Sequence, residues 1–136
     1  FKGKLESEGF EVTVYEKEGF EVMEDTVESF KNRYDLVLYL ANIETASNKT
    51  VSRLNWHTMF GLGNNMPWMV YELPVVFISI GNPYHLLDAP MVKTYINGYC
   101  NSEYVMDAVV EKMMGRSEFK GASPIDPFCG KLDLKF

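Results

Sequence analysis

The segment PVVFISIGNPYHLLDAP, residues Pro74–Pro90, decides the fold. Its first residues, Pro74 to Ile80, form an apolar run, and the chain then breaks into the turn Gly81-Asn82-Pro83-Tyr84-His85. Continuous apolar runs are typical of strands covered on both faces, as in a parallel sheet between two helix layers. The turn that follows this strand is polar and aromatic. It either serves only to reverse the chain or presents side chains to a ligand.

A second run, Leu36–Ala41, has the same continuous apolar character and is predicted as the other central strand. The segment between the two runs provides the crossover that parallel strands require. Before the first run, the patterns predict the end of a helix at 3–9, a strand at 11–15 and a helix capped by Asp25. Between the two runs, a broken helix and then a short helix are predicted between 53 and 71. After the second run, a strand is predicted at 92–99, followed by a helix capped by Asn101 and ended by Gly115, and by a short strand in the tail. This alternation predicts an open α/β sheet in a single domain over residues 1–136.

The carboxyl ends of the two central strands indicate where a ligand or partner would bind. In open α/β sheets, ligands gather outside the carboxyl ends of the strands. The loops at 42–44 and 81–88 follow those ends. His85, in the second loop, is a candidate ligand contact, although a loop histidine satisfied by backbone or water is the commoner case.

Composition argues against several classes of function. A formal net charge of −6 disfavours a nucleic-acid partner, because phosphate binding needs a cationic patch. No apolar run approaches the roughly eighteen residues of a membrane span. Two histidines and two isolated cysteines give no metal-ligand spacing, so neither a metal nor a cofactor is expected. A start at Phe1, without a methionine or a signal segment, indicates a piece of a longer protein, in which any signal for a cytoplasmic or secreted location would lie upstream.

Cys100 is the residue that suggests a catalytic nucleophile. It lies between a predicted strand and a predicted helix, as in a nucleophile elbow, and His57 or His85 could supply a base. No Gly-x-Cys-x-Gly pattern surrounds it, and a buried structural thiol is the competing interpretation. A stand-alone cysteine hydrolase of amidotransferase-like α/β type and a non-enzymatic small-ligand module therefore stay open as alternatives.

Several separated segments resemble the C-terminal α/β domain of glycoside hydrolase family 3, nearest to its bacterial β-N-acetylglucosaminidase (β-hexosaminidase) branch. They are YDLVLYLANI at 34–43 and the stretch from 74 to 125, in which GNPYHLLDAP, VKTYIN and FKGASP follow the family's order and spacing. The resemblance implies a flavodoxin-like, three-layer α/β/α sandwich with a mainly parallel open sheet. It also implies a preceding β/α barrel with a nucleophilic aspartate and, in this branch, an acid/base histidine; the motif of that barrel is absent from this sequence.

The resemblance further implies an auxiliary domain of a glycosidase, a hydrolase acting on O-glycosyl bonds, which is inactive without its barrel. The expected partners are the N-terminal catalytic barrel of the same polypeptide and an amino-sugar glycoside. The loops are expected to pack on the barrel and to line one wall of the sugar site, and no residue here is assigned a catalytic role. The predicted rim residues are Asn82, Tyr84, His85, Arg53, Asn55 and Trp56, with Arg53 as a hydrogen-bond or carboxylate partner.

Overall fold

The fold is that of a computed structural model, which describes residues 1–17, 19–43, 53–54, 56 and 65–131. Its strands are β1 (Val37–Ala41), β2 (Val75–Ser79) and β3 (Thr94–Asn97), and they form one parallel sheet in the order β1-β2-β3. Its helices are α1 (Lys2–Ser7), α2 (Val27–Arg33) and α3 (Glu103–Met113), with 3₁₀ helices at Gly19–Glu24 and Pro83–Asp88. None of the helices in these ranges is long and apolar enough to cross a membrane.

The central strand β2 confirms that the apolar run is covered on both faces. Phe77 packs in a buried cluster with Ala41 and Ala89 on one face of the sheet. The next residue, Ile78, points to the other face and packs with Val109 of α3. The sheet therefore lies between two layers, as the parallel α/β pattern predicted.

Helix α3 covers one face of the sheet, where Phe1, just before α1, also packs. The cap of α3 is Ser102, whose side chain accepts a hydrogen bond from the Val105 N–H, and not the predicted Asn101. The difference is one residue, because the hydroxyl that reaches the third N–H of the helix belongs to Ser102. Gly115 ends this helix as predicted, with a φ of 71° that favours glycine.

Helix α2 covers the opposite face, where Phe30 is buried beside Met69. Thr26 caps this helix, and not the predicted Asp25. The Thr26 Oγ1 accepts the Ser29 N–H at 3.1 Å, and the Ser29 Oγ accepts the Thr26 N–H at 2.9 Å. The capping box predicted from this segment is therefore present, one residue later than expected.

The predicted strand at 11–15 is wrong. The segment carries no strand, and Tyr15 docks on α2 instead. Its Oη donates to the Asp25 carboxylate at 2.7 Å, and its ring centroid lies 5.8 Å from that of Phe30. Tyr15 thus packs on a helix, and the segment does not pair with a strand.

The predicted short helix at 66–71 is also wrong. The chain there makes consecutive turns, with the Val70 N–H bonded to the Pro67 carbonyl and the Leu73 N–H to the Met69 carbonyl. These turns bury Met69, Val70 and Leu73 against Phe30, which satisfies the apolar pattern without a helix. The predicted terminal strand and most of the predicted broken helix lie outside the described residues.

Candidate functional site

The turn after β2 is held against the end of β1. Asn82 caps the 3₁₀ helix Pro83–Asp88, because its Oδ1 accepts the Tyr84 N–H at 3.0 Å. Its Nδ2 donates to the carbonyl of Ile43, just beyond β1, at 2.9 Å. Gly81 allows this approach, since a Cβ there would lie 2.7 Å from the Ile43 oxygen. One amide group therefore joins the exits of two neighbouring strands.

His85 sits inside this turn in a closed chain of hydrogen bonds. Its Nε2 lies 3.0 Å from the Asn82 Nδ2, and its Nδ1 lies 2.8 Å from the Ser79 Oγ. The amide nitrogen can only donate, so Nε2 accepts, and Nδ1 carries the proton and donates to Ser79. The Ser79 hydroxyl in turn donates a hydrogen bond to the backbone carbonyl of Asn82. A neutral imidazole satisfies every group in this chain.

The side chain of His85, a predicted rim residue, is turned into the domain and is not exposed at the rim. The residue is 0% exposed in this domain, and burial lowers its pKa, an effect that Asp88 partly opposes. The reason is that the Ser79 side chain points to the face of the sheet that the turn covers, so its hydroxyl can bond the imidazole. Its neighbour Tyr84 is 50% exposed and does lie at the surface.

The Ser79, His85 and Asn82 side chains do not form a nucleophilic triad. Ser79 is fully buried, and its hydroxyl proton is committed to a carbonyl. The imidazole nitrogen that faces Ser79 already carries a proton, so it cannot act as the base for that hydroxyl. The network therefore fixes the shape of the turn and supplies no chemistry.

Asp88, at the end of the same turn, holds Arg53, Leu54 and Trp56. Its carboxylate Oδ1 accepts from Nε and Nη2 of Arg53, and its Oδ2 accepts the Leu54 N–H at 2.9 Å. Its carbonyl accepts from Nε1 of Trp56 at 2.6 Å. The indole ring of Trp56 stands nearly perpendicular to Tyr39, with centroids 5.9 Å apart. Arg53 and Trp56 are thereby brought to the same edge as Asn82.

An aromatic row supports this edge from below. Tyr39, Phe77 and Tyr95 are register partners on β1, β2 and β3, and their rings are nearly parallel with centroids 6.0 and 5.4 Å apart. Burial raises the pKa of Tyr95, an effect that Ser79 and the Leu86 backbone partly oppose. Even so, its buried Oη makes no hydrogen bond of normal geometry to a described residue. That hydroxyl lies near Ser79 and the backbone of Leu86.

Cys100 and Cys129 are both free and exposed, so the interpretation of Cys100 as a buried structural thiol is wrong. Cys100 follows Tyr99, whose φ is 60°, and precedes the cap of α3. Of its candidate bases, His85 is buried and bonded on both nitrogens, and His57 lies outside the described residues. Across the described part of the chain, no three His, Cys, Asp or Glu side chains are grouped to hold a metal.

Of the six predicted rim residues, the structure brings together Arg53, Trp56, Asn82 and Tyr84 at one edge, and it buries His85 beneath them. The sixth, Asn55, lies outside the described residues. That this edge faces a barrel or a sugar stays a prediction. Sequence analysis missed Asp88 and Ser79; a lone carboxylate inside the apolar run LLDAP was the available signal for the first.

Comparison with known proteins gives relatives in sequence and in structure. A β-N-acetylglucosaminidase/β-glucosidase from Cellulomonas fimi is 48% identical over 101 residues, which is 74% of this chain and 18% of that protein. The β-glucoside phosphorylase BglX, and BglX bound to 2FGlc, each match 95% of the chain at 44% identity with a TM-score of 0.76. The chain belongs to glycoside hydrolase family 3.

The family assignment confirms the resemblance and the α/β fold it implied. No protein-family model matches the chain, so the assignment rests on these pairwise matches. The chain spans 18% of the Cellulomonas fimi protein and 22% of BglX, about a fifth of each. It therefore corresponds to one part of a larger family 3 protein.

Proposed function

We propose that this chain is the auxiliary α/β domain of a β-glycoside-processing enzyme, packed on a catalytic barrel of the same polypeptide. The observation that carries the proposal is the 48% identity to a β-N-acetylglucosaminidase/β-glucosidase of which the chain spans only 18%. The reaction itself belongs to the barrel, where a carboxylate nucleophile would form a covalent glycosyl-enzyme. This domain supplies a shaped wall and not a catalytic group.

The carboxyl edge of the sheet is the proposed contact surface. It combines the exposed ring of Tyr84 with the guanidinium of Arg53, whose side chain is 57% exposed. Aromatic faces and guanidinium donors suit both a sugar and a polar domain interface. The hydrogen bonds of Asn82 and Asp88 fix the loops beneath these groups, so little conformational entropy would be lost on binding.

The acceptor of the glycosyl group is the second question, because the relatives differ in name. One is called a β-N-acetylglucosaminidase/β-glucosidase, a name that indicates transfer to water, and the other a β-glucoside phosphorylase, a name that indicates transfer to phosphate. We propose hydrolysis of an amino-sugar glycoside for the enzyme that contains this chain. Phosphorolysis is the second candidate, and the 44% identity to BglX favours it.

The test is to combine this chain with a separately expressed family 3 barrel. Chromogenic N-acetylglucosaminide and glucoside are offered with and without inorganic phosphate, and binding is measured by titration. We expect binding and a gain in turnover, with the phosphate dependence reporting the acceptor. Tyr84→Ala should weaken both, whereas Phe119→Ala, an equally exposed aromatic beyond the far end of α3, should not. Neither binding nor a gain with any barrel would overturn the proposal.

A further inference from the structure

We propose that Asp88 is a positioning residue, which fixes the guanidinium of Arg53 so that its outer edge contacts the hydroxyl groups of the bound glycoside. The proposal rests on the proposed function, since the glycoside would be bound between this edge and the barrel. The evidence is the arrangement of a buried carboxylate beneath a half-exposed arginine. It deepens the earlier proposal by naming which side chain touches the ligand and what holds it.

The Asp88 carboxylate is built into the turn and not merely placed at the surface. Its side chain is 5% exposed, and the turn that carries it is locked by the bonds of His85 and Asn82. Its two oxygens are divided between the side chain of Arg53 and the backbone N–H of Leu54. One carboxylate thus fixes both the path of the segment and the direction of its arginine.

Within the described ranges, the guanidinium is bound along the edge that faces Asp88. Nε and Nη2 of Arg53 face the Asp88 Oδ1, and no hydrogen bond to a described residue uses Nη1. A guanidinium carries five N–H donors in a rigid plane, so fixing one edge also fixes the direction of the donors on the other. An arginine that is already held loses less conformational entropy when it binds a ligand.

The charge of the pair indicates the class of ligand. Arg53 and Asp88 together are close to neutral, so the pair offers hydrogen-bond donors without a net positive charge. Hydroxyl oxygens of a neutral sugar fit such a group better than a phosphate or a carboxylate, which would also meet the nearby Asp88 charge. We therefore commit to glycosyl hydroxyls as the ligand of Arg53.

The experiment is a double-mutant cycle in the complete polypeptide that contains this segment. Arg53→Ala should lower kcat/KM for the glycoside about tenfold, the size of one charge-assisted hydrogen bond. Asp88→Asn should lower it to a similar extent, because the arginine is no longer held. The double variant should be no worse than Arg53→Ala alone, since Asp88 acts through Arg53.

The matched control is Asp25→Asn. Asp25 is also a buried carboxylate bonded to an arginine, Arg33, but it lies at the start of α2. We expect Asp25→Asn to lower stability and leave kcat/KM unchanged. Arg53→Ala removes a mostly exposed side chain, so it tests ligand contact even if Asp88→Asn folds poorly.

Each other outcome refutes a defined part of the proposal. Additive losses in the double variant would show that Asp88 does not act through Arg53. An unchanged kcat/KM for Arg53→Ala would remove the ligand contact. A loss confined to reactions with inorganic phosphate would make phosphate the ligand and refute the choice of glycosyl hydroxyls. If the barrel alone has the same kcat/KM as the complete polypeptide, the proposed function itself is refuted.

Discussion

Protonation of His85 should destabilise the domain in a defined pH range. Its buried imidazole is neutral, with Nε2 accepting from Asn82 and Nδ1 donating to Ser79. A proton on Nε2 would face the Asn82 Nδ2 donor and break that bond. Asp88 is the charged group that favours the protonated form, and the apolar surroundings oppose it more strongly, so the pKa of His85 is lowered.

The sign and size of the effect follow from linkage. With a folded pKa below that of the unfolded chain, the stabilisation is fully present above about pH 6.5 and is lost as the pH falls towards the folded pKa. In that range the unfolded state binds the extra proton, and the free energy of unfolding falls by up to about 1.4 kcal/mol per pH unit.

The assay is urea unfolding of the chain and of His85→Asn at pH 7.5, 6 and 5. The amide of the new asparagine can still donate to Ser79, but it cannot be protonated. We expect the variant to be less stable at pH 7.5 by about 1–3 kcal/mol, and the difference from the wild type to shrink as the pH falls. His57 is present in both proteins, so its titration cancels. A difference that is constant from pH 7.5 to 5 would refute the buried, neutral imidazole.

Three further substitutions test other parts of the fold. Gly81→Ala should cost about 1–3 kcal/mol in urea unfolding, because its Cβ would lie 2.7 Å from the Ile43 oxygen; an unchanged midpoint would contradict the close approach. Thr26→Ala should lower stability by about 1 kcal/mol, while Thr26→Ser should be nearly neutral; equal losses in both would argue against the capping box. Cys100→Ser should leave glycoside turnover by the complete polypeptide unchanged, and a loss of activity would reinstate the cysteine-hydrolase alternative.

The strands and their parallel arrangement could be predicted from the sequence because burial on both faces leaves a continuous apolar run. The runs at 36–41 and 74–80 contain β1 and β2 for this reason. The segment at 11–15 shows the limit of the argument. Its alternating pattern does not show what lies opposite the segment, and in the structure Tyr15 packs on Phe30 of α2.

The direction of His85 could not be predicted because it depends on a tertiary contact. The sequence shows a histidine in a polar turn, which is equally compatible with exposure and with burial. Ser79 decides between them, because its hydroxyl lies under the turn only when its side chain points to the face of β2 that the turn covers. Asp88 was missed for a similar reason. Its partners Arg53 and Leu54 are more than thirty residues away in the chain, and only the fold brings them together.

The turn after β2 carries more polar groups than reversing the chain requires. Glycine, proline and a capping asparagine would be enough for the reversal itself. The buried imidazole and the buried carboxylate each cost stability unless they are fully paired, and here both are paired. Asn82 uses its amide to hold the exit of β1, and Asp88 uses its carboxylate to hold Arg53 and Leu54. Chain reversal does not explain either bond, and both become useful if the edge must keep one shape against a partner. The turn is therefore best understood as the part that makes the carboxyl edge rigid.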